Sequence, residues 1–407
     1  MGEPGVNRAP STTRVLGPHE HRAALNLFRD SHHQPPVTDT DWPVLRKTLE
    51  PGSVRAEFLD GQLLGMQQTI SGDLIVPGGT KVPAAICARL AVRTGHTRRG
   101  VGTRLMKAAL RATQAPLMTV RVSEGGIYGR FGFAVGTRAR DLVIDRHRAR
   151  LESHVPECGH TFVSCSEGRA ELIPLLHEEL RGRAGTVRRP DWYESLYSHD
   201  MAASGLLSKV IVHKGPDGAD GFARYTVDRV VTRDAGARLI LQVDDMHYSS
   251  PEAWTGLWRT LLNVELVDEI RVQLRPLDEP VEWLFTDPRV CRTRAVQDET
   301  WLRLTDVGAA LRARRFEGDG SVVIGVDDAL LPANSGCYRV SGDGAGRTRA
   351  AARITGSVAA WSAAYLGTVR PSALAATGAL RVDDAQSLRT ADELFSVRSE
   401  PWSGSFF

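Results

Sequence analysis

Apolar residues recur at helical spacing over residues 18–30, where Ala23, Ala24, Leu27 and Phe28 form one stripe. Two short strand-like runs then flank Asp60-Gly61, a pair that favours the tight turn of a hairpin. A second strand pair is joined through Pro77-Gly78-Gly79. The run Ala84 to Val92 reads as a strand feeding a Gly/Arg loop, and a helix opens near Val101 with Leu105, Ala109 and Ala112 on one side. The strand Leu117 to Val122 ends at Ser123-Glu124-Gly125-Gly126. Helix, antiparallel strands and two successive strand-loop-helix steps make an α+β plan whose ligand crevice lies at strand ends.

The basic segment Asp145 to Leu151 is expected to be a helical link into a second unit. That unit shows a helix pattern over Arg169–Arg181 and strand patterns at Leu206–His213, Gly221–Asp228 and Leu239–Asp244. A Gly-Pro-Asp-Gly turn falls at 215–218 and a helix at Pro251–Leu262, so the order loosely echoes the first unit. Trp301, Leu302, Leu304, Val307, Leu311 and Phe316 mark the opening of a third unit. Strands are expected there at Val322–Val326 and Cys337–Val340, and helices at Val358–Leu366 and Ala373–Leu380. The expected domains are 1–150, with 1–13 a flexible tail, then 151–296 and 297–407. The last residues, Pro401-Trp402-Ser403-Gly404-Ser405-Phe406-Phe407, are aromatic rather than polar and read as a segment that docks.

A length of 407 residues exceeds a single core, in line with several domains. A formal net charge of +3 is nearly neutral at this length and argues against a nucleic-acid surface. No apolar run reaches the roughly 18 residues of a membrane span. The start lacks the apolar core of a signal peptide, so a cytoplasmic protein is expected, with export by another route left open. The cysteines, Cys87, Cys158, Cys165, Cys291 and Cys337, are odd in number and form no CxxC pair, which disfavours a disulfide framework. His154, Cys158, His160 and Cys165 crowd together, but their spacing is too irregular for zinc, and no metal is expected.

Chemistry concentrates in residues 90–105. A pyrophosphate needs several N–H donors converging on one point, and a glycine turn at a helix start supplies them. Arg98 and Arg99 add fixed positive charge, followed by Gly100, Val101, Gly102 and Thr103. The lysine and hydroxyl of a Walker loop are missing, and Leu105 stands where a dinucleotide fingerprint needs its third glycine. An Arg-rich surface turn is the bland alternative. Downstream, Tyr128 sits in Ser123-Glu124-Gly125-Gly126-Ile127-Tyr128-Gly129-Arg130-Phe131-Gly132-Phe133. A phenol with a pKa of about 10 keeps its proton at neutral pH and can protonate a departing thiolate.

Thr97-Arg98-Arg99-Gly100-Val101-Gly102 resembles the acyl-CoA loop of the GNAT acetyltransferases, with Thr97 where Arg or Gln is usual. With Ser123–Phe133, the chain is similar to the Eis (enhanced intracellular survival) family of N-acetyltransferases. Ala253-Trp254, Leu257-Trp258, Asp278-Glu279-Pro280, Asp287-Pro288-Arg289, Trp301-Leu302-Arg303-Leu304 and Val326-Asp327-Asp328 extend the likeness along the chain. The resemblance implies two GNAT-like domains, a C-terminal domain resembling sterol carrier proteins, and a homohexamer. It implies that Leu90, Ala91 and Val92, Arg98 to Thr103, Ser123 and Glu124 bind acetyl-CoA. Tyr128 is then the proton donor and the terminal carboxylate of Phe407 the base. Small cationic amines such as aminoglycosides become the expected acceptors, with protein lysines a second class, and an acidic acceptor pocket follows. A lipid-binding or scaffold protein with a vestigial transferase fold is the competing reading.

Overall fold

The computed structural model of the chain describes residues 11–156, 159–165, 172–232 and 236–405. The first unit runs β1 (Thr12–Val15), α1 (His21–Ser31), α2 (Trp42–Leu45), β2 (Val54–Leu59), β3 (Gln62–Ile75), β4 (Lys81–Val92), α3 (Val101–Ala112), β5 (Leu117–Val120), α4 (Gly125–Tyr128) and β6 (Ala134–Asp145). Asp60 and Gly61 have φ values of 50° and 77°, and this left-handed pair closes the β2–β3 hairpin. The apolar stripe of α1 buries Ala24, Leu25 and Leu27 against Val54, Ala56 and Met66 of the sheet.

The second unit runs β7 (His160–Cys165), α5 (Leu172–Leu180), α6 (Tyr193–Ser204), β8 (Lys209–Gly215), β9 (Gly218–Thr232), β10 (Gly236–Tyr248), α7 (Pro251–Leu262), β11 (Glu269–Arg275) and β12 (Cys291–Leu304). It repeats the plan of the first: antiparallel strands, then a strand, a helix and a parallel strand, since β10 pairs with β11 as β4 pairs with β5. Both units share one twelve-stranded sheet, ordered β1-β2-β3-β4-β5-β12-β6-β11-β10-β9-β8-β7. β12 is wedged between β5 and β6. Trp301 to Leu304 pair with Val120 to Leu117, while Cys291 to Leu302 run along β6. The strand passes unbroken through residues 296 and 297.

The third unit contains α8 (Val307–Ala313), β13 (Ser321–Asp327), β14 (Gly336–Ser341), β15 (Gly344–Thr348), β16 (Ile354–Ser357), α9 (Val358–Tyr365), α10 (Pro371–Ala376), β17 (Leu380–Val382) and α11 (Ala385–Leu394). Its five strands are ordered β15-β14-β13-β16-β17. Trp361, Tyr365, Leu394 and Phe395 fill the space over this sheet.

Three expectations fail. Thr12 and Thr13, expected to belong to a flexible tail, open β1 and pair with Phe58 and Glu57 of β2. Residues 145–151 do not form a helix: β6 ends at Asp145, a turn follows, and Leu151 bridges to Phe285. The segment has no apolar stripe to bury. Its charges instead reach neighbouring loops, His147 to Asp268 at 2.9 Å and Arg148 to Asp287 at 2.8 Å. The helix expected at Ala373–Leu380 stops at Ala376, because Gly378 turns left-handed (φ 77°) and Leu380 joins the sheet beside β16.

A buried ion pair ties the third unit to the shared sheet. Arg303 on β12, fully buried, donates two bonds to Asp328 at 2.8 and 2.7 Å and one to the Phe131 carbonyl at 2.8 Å. Asp328 also accepts from Asn334 and from the amides of Leu330 and Leu331. Removing one partner strands the other charge in a dry interior, at a cost of about 3–5 kcal/mol. Asp328→Ala is therefore expected to lower the thermal unfolding midpoint by several degrees. An unchanged midpoint in a melting experiment shows that the pair does not brace this junction.

Candidate active site

β4 and β5 pair from Ala84↔Leu117 to Cys87↔Val120 and then part. Beyond that point Leu90, Ala91 and Val92 are bonded only on their other side, to Gln67, Met66 and Gly65 of β3. Their remaining backbone edge faces the gap between the parted strands, an edge that can accept an added extended chain.

The gap leads to the glycine loop. Gly95, Arg98 and Gly100 have φ values of 86°, 60° and 83°, and Gly100 is the N-cap of α3. The first helical bond is Arg104 N–H to the Gly100 carbonyl at 3.0 Å. The amides of Val101, Gly102 and Thr103 therefore emerge at the helix start, with no acid in the first turn and with Arg98 and Arg99 exposed beside them. Arg104 is held by the buried Glu57 at 2.8 and 2.6 Å, which fixes the first turn. Gly65 lets α3 sit close to the sheet, for a Cβ there would meet Val101 Cγ1 at 2.7 Å. The loop can hold a diphosphate by oriented amides and guanidinium charge.

Tyr128 ends α4 and packs edge-on against Phe133, with ring centroids 5.9 Å apart. Burial, assisted by nearby Cys87 and Glu124, raises its pKa and keeps the phenol protonated. It lines a cavity of about 340 Å³ at the parted strands, together with Leu90, Ser123, Phe28 and His32 of the α1 end, Arg89 and Arg121. Glu124 caps α4 with an exposed side chain. The tyrosine and the open edge of β4 thus meet in one space, and the phosphate loop begins where β4 ends.

The described residues of this cavity do not by themselves form the acidic pocket expected for the acceptor, and Phe407 lies outside them. Among the described residues lining this cavity there is no carboxylate, and two arginines face it. Arg89 bonds to the Gln68 side chain and lies over the Phe28 ring, 5.7 Å from its centroid. Burial lowers its pKa to about 10. Arg89 interrupts an apolar stretch of β4, and Arg121 directly follows the end of β5.

Phe406 and Phe407 lie outside the described residues. The segment before them is buried and gripped. Glu299 of β12 accepts the amides of Ser403 and Gly404 at 2.8 and 2.9 Å. Arg189, in a two-pronged pair with Asp245 at 2.7 and 2.8 Å, donates to the Gly404 carbonyl at 3.2 Å, as His247 does at 3.1 Å. Burial pushes the Glu299 carboxyl up, while the two amides and nearby Arg121 oppose the shift. Glu299 thus connects the tail electrostatically to the cavity wall. None of these holding residues has a local sequence signature, because they converge from separate elements.

The second unit has the same fork, filled. β10 and β11 pair only through Val243↔Val272. Arg275 donates to the Met246 carbonyl at 2.7 Å and pairs with Glu279. Trp402 bonds the Leu274 carbonyl at 2.6 Å and stacks under Arg275. α7 begins Ser250-Pro251 with no glycine turn. Of the zinc-like cluster, Cys158 lies outside the described residues and nothing is described of the Cys165 side chain.

Parted parallel strands, a left-handed glycine opening a helix, and a buried tyrosine beside them define an N-acetyltransferase of the GNAT class, whose acyl donor is acetyl-CoA. Acetyltransferase (GNAT) domain families match residues 12–136 and 185–304, and a sterol carrier protein domain family matches 307–404. The chain belongs to the Eis family of N-acetyltransferases. It is 32% identical over 385 residues to N-acetyltransferase Eis of Mycobacterium tuberculosis, covering 89% of this chain and 90% of that one. An uncharacterized N-acetyltransferase of Streptomyces coelicolor is 36% identical over 351 residues, covering 81% and 82%. The crystal structure of Eis1 from Mycobacterium abscessus superposes with a TM-score of 0.88 at 32% identity, over 98% of this chain and 100% of that one. No helix among the described residues is long and apolar enough to cross a membrane.

Gly100 offers the direct test of the loop. A β-branched side chain at its φ of 83° is strained, and its Cβ would meet the Arg104 guanidinium at 2.8 Å. Such strain costs about 1–3 kcal/mol. Gly100→Val is expected to weaken acetyl-CoA binding about tenfold or more in calorimetry, with the melting curve largely kept. Wild-type affinity in the folded variant removes the loop from the donor site.

Proposed function

We propose that the chain transfers the acetyl group of acetyl-CoA directly to a small-molecule amine, with Tyr128 as proton donor and the Phe407 terminal carboxylate as base. The carrying observation is the shared cavity of Tyr128, Ser123 and the open edge at Leu90, with the Gly100 helix start just beyond it. In this reading Leu90, Ala91 and Val92 pair with the pantetheine arm, and Arg98 to Thr103 take the diphosphate. Ser123 and Glu124 lie along the donor beside Tyr128. The amine nitrogen attacks the thioester carbonyl. The C–N bond forms as the C–S bond breaks, the nitrogen's proton passes to the carboxylate, and the phenol proton passes to the CoA thiolate.

The base assignment is supported by the grip on residues 402–405. A base must stand within hydrogen-bond reach of the amine, and those five contacts, with Arg189 also donating to the Ser405 hydroxyl at 3.3 Å, fix the chain just before Phe406. An α-carboxylate with a pKa of about 3.5 is ionised at neutral pH. The resemblance adds a homohexamer and aminoglycoside acceptors to the proposal. Arg89, which pairs with no acid among the described residues, weighs against a polycationic acceptor.

Two variants test the roles. Tyr128→Phe keeps the packing against Phe133 and removes the proton. Thiol release from acetyl-CoA is expected to fall about 100-fold or more in kcat, with donor binding retained. Near-normal single-turnover rates reduce Tyr128 to packing. Two residues added after Phe407 displace the charge and leave a neutral peptide in its place. Transfer is then expected to collapse while acetyl-CoA still binds, and full activity of the extended chain shows that another group is the base.

A further inference from the structure

Arg89 is a cation without an acid. Its described contacts are the Gln68 side-chain oxygen and the Phe28 ring, and no carboxylate of the described residues pairs with it. It stands on β4 next to Leu90, beside the parted strands, in the same cavity as Tyr128. Burying an arginine is costly, and the cost is recovered when an anion meets it. A neutral oxygen and an aromatic face hold the guanidinium in place and leave its charge uncompensated. Arg121 lines the same cavity with Glu299, Asp298 and Asp141 near its charge, and the cavity's remaining lining is apolar apart from His32, Ser123 and Tyr128.

The donor's own phosphates do not meet this charge in the reading above. They belong at the Gly100 end, beyond Val92, and β4 alone separates Arg89 from Val92 by about 10 Å at the rise of an extended strand. The adjoining cavity past Ser123 carries one acid, Asp298, which takes the Trp301 indole N–H and shares the space with Arg138. A molecule carrying both an amine and an anion can seat the anion on Arg89 and present the amine near Tyr128.

We propose that the acceptor is an amine that also bears an anionic group, a carboxylate or a phosphate, and that Arg89 selects it by binding that group. The inference rests on the transferase reading and narrows its acceptor. Phe28 and Gln68 set the guanidinium plane, so a planar carboxylate can be met by paired N–H donors.

The test uses full-length protein with acetyl-CoA and matched acceptors: ω-amino carboxylates of two to six carbons against their amides, ω-aminoalkyl phosphates against the corresponding amino alcohols, and kanamycin as the polycation. The wild type is expected to favour an anionic member over its neutral twin by about tenfold or more in kcat/KM, the worth of one charge-assisted contact. Which pair shows the larger ratio identifies carboxylate or phosphate. Arg89→Gln should bring that ratio to within about twofold of unity, and Arg89→Lys should restore part of it. Calorimetry of hexanoate against hexanamide, on wild type and Arg89→Gln loaded with acetyl-CoA, gives a readout independent of turnover. A wild-type ratio near one, a ratio untouched by Arg89→Gln, or kanamycin outpacing every anionic amine overturns the proposal while leaving the transferase reading standing. Hexanoate-selective binding that Arg89→Gln abolishes, with no amine acetylated, sinks the transferase reading and leaves the anion site. Neither selective binding nor turnover sinks both.

Discussion

β12, Cys291–Leu304, enters the middle of a sheet that begins at Thr12, and most of what the molecule does depends on that insertion. Its last residues, Trp301 to Leu304, pair with β5 of the first unit, and Cys291 to Leu302 run along β6. Without it, β5 has an unpaired edge next to the site. The same strand carries Glu299, which holds the tail, Arg303, which braces the third unit through Asp328, and Trp301, which lies under Gly125 of the tyrosine loop at 3.4 Å from a Cβ built there. A continuous ladder of hydrogen bonds fixes these three side chains relative to one another more rigidly than loops could.

That arrangement explains why one copy of the fold stays open and the other is closed. In the first unit the fork after Cys87 and Val120 leaves the Leu90–Val92 edge without a partner. In the second, Arg275, Glu279 and Trp402 occupy the equivalent space with a paired charge and a stacked indole. The filled fork does structural work: it receives the tail that the third unit delivers. The same strand plan thus leaves an open edge in the first unit and holds Trp402 in the second.

The electrostatics are divided along β4. Oriented amides and exposed arginines at the Gly100 end suit a diphosphate. Half a strand away, Arg89 and Arg121 line the cavity of Tyr128, with Glu299, Asp298 and Asp141 near Arg121.

The local motifs were legible without coordinates. Asp60-Gly61 specifies its hairpin through φ > 0, Gly100 specifies the helix start for the same reason, and the stripe Ala24/Leu27 specifies the buried face of α1. The repeated strand-helix-strand order told of two similar units, and the family resemblance added the third. These features are set by neighbours within a few residues, so a sequence window contains their causes. Residues 145–151 misled because basic residues tolerate a helix, while the actual partners, Asp268 and Asp287, lie more than a hundred positions away. The tail's grip by Glu299, Arg189 and His247, the passage of β12 between β5 and β6, and the meeting of Arg89 with Tyr128 across one cavity are likewise products of topology. Such contacts join residues whose separation along the chain carries no periodic signal, and only the folded sheet decides which charges share a space.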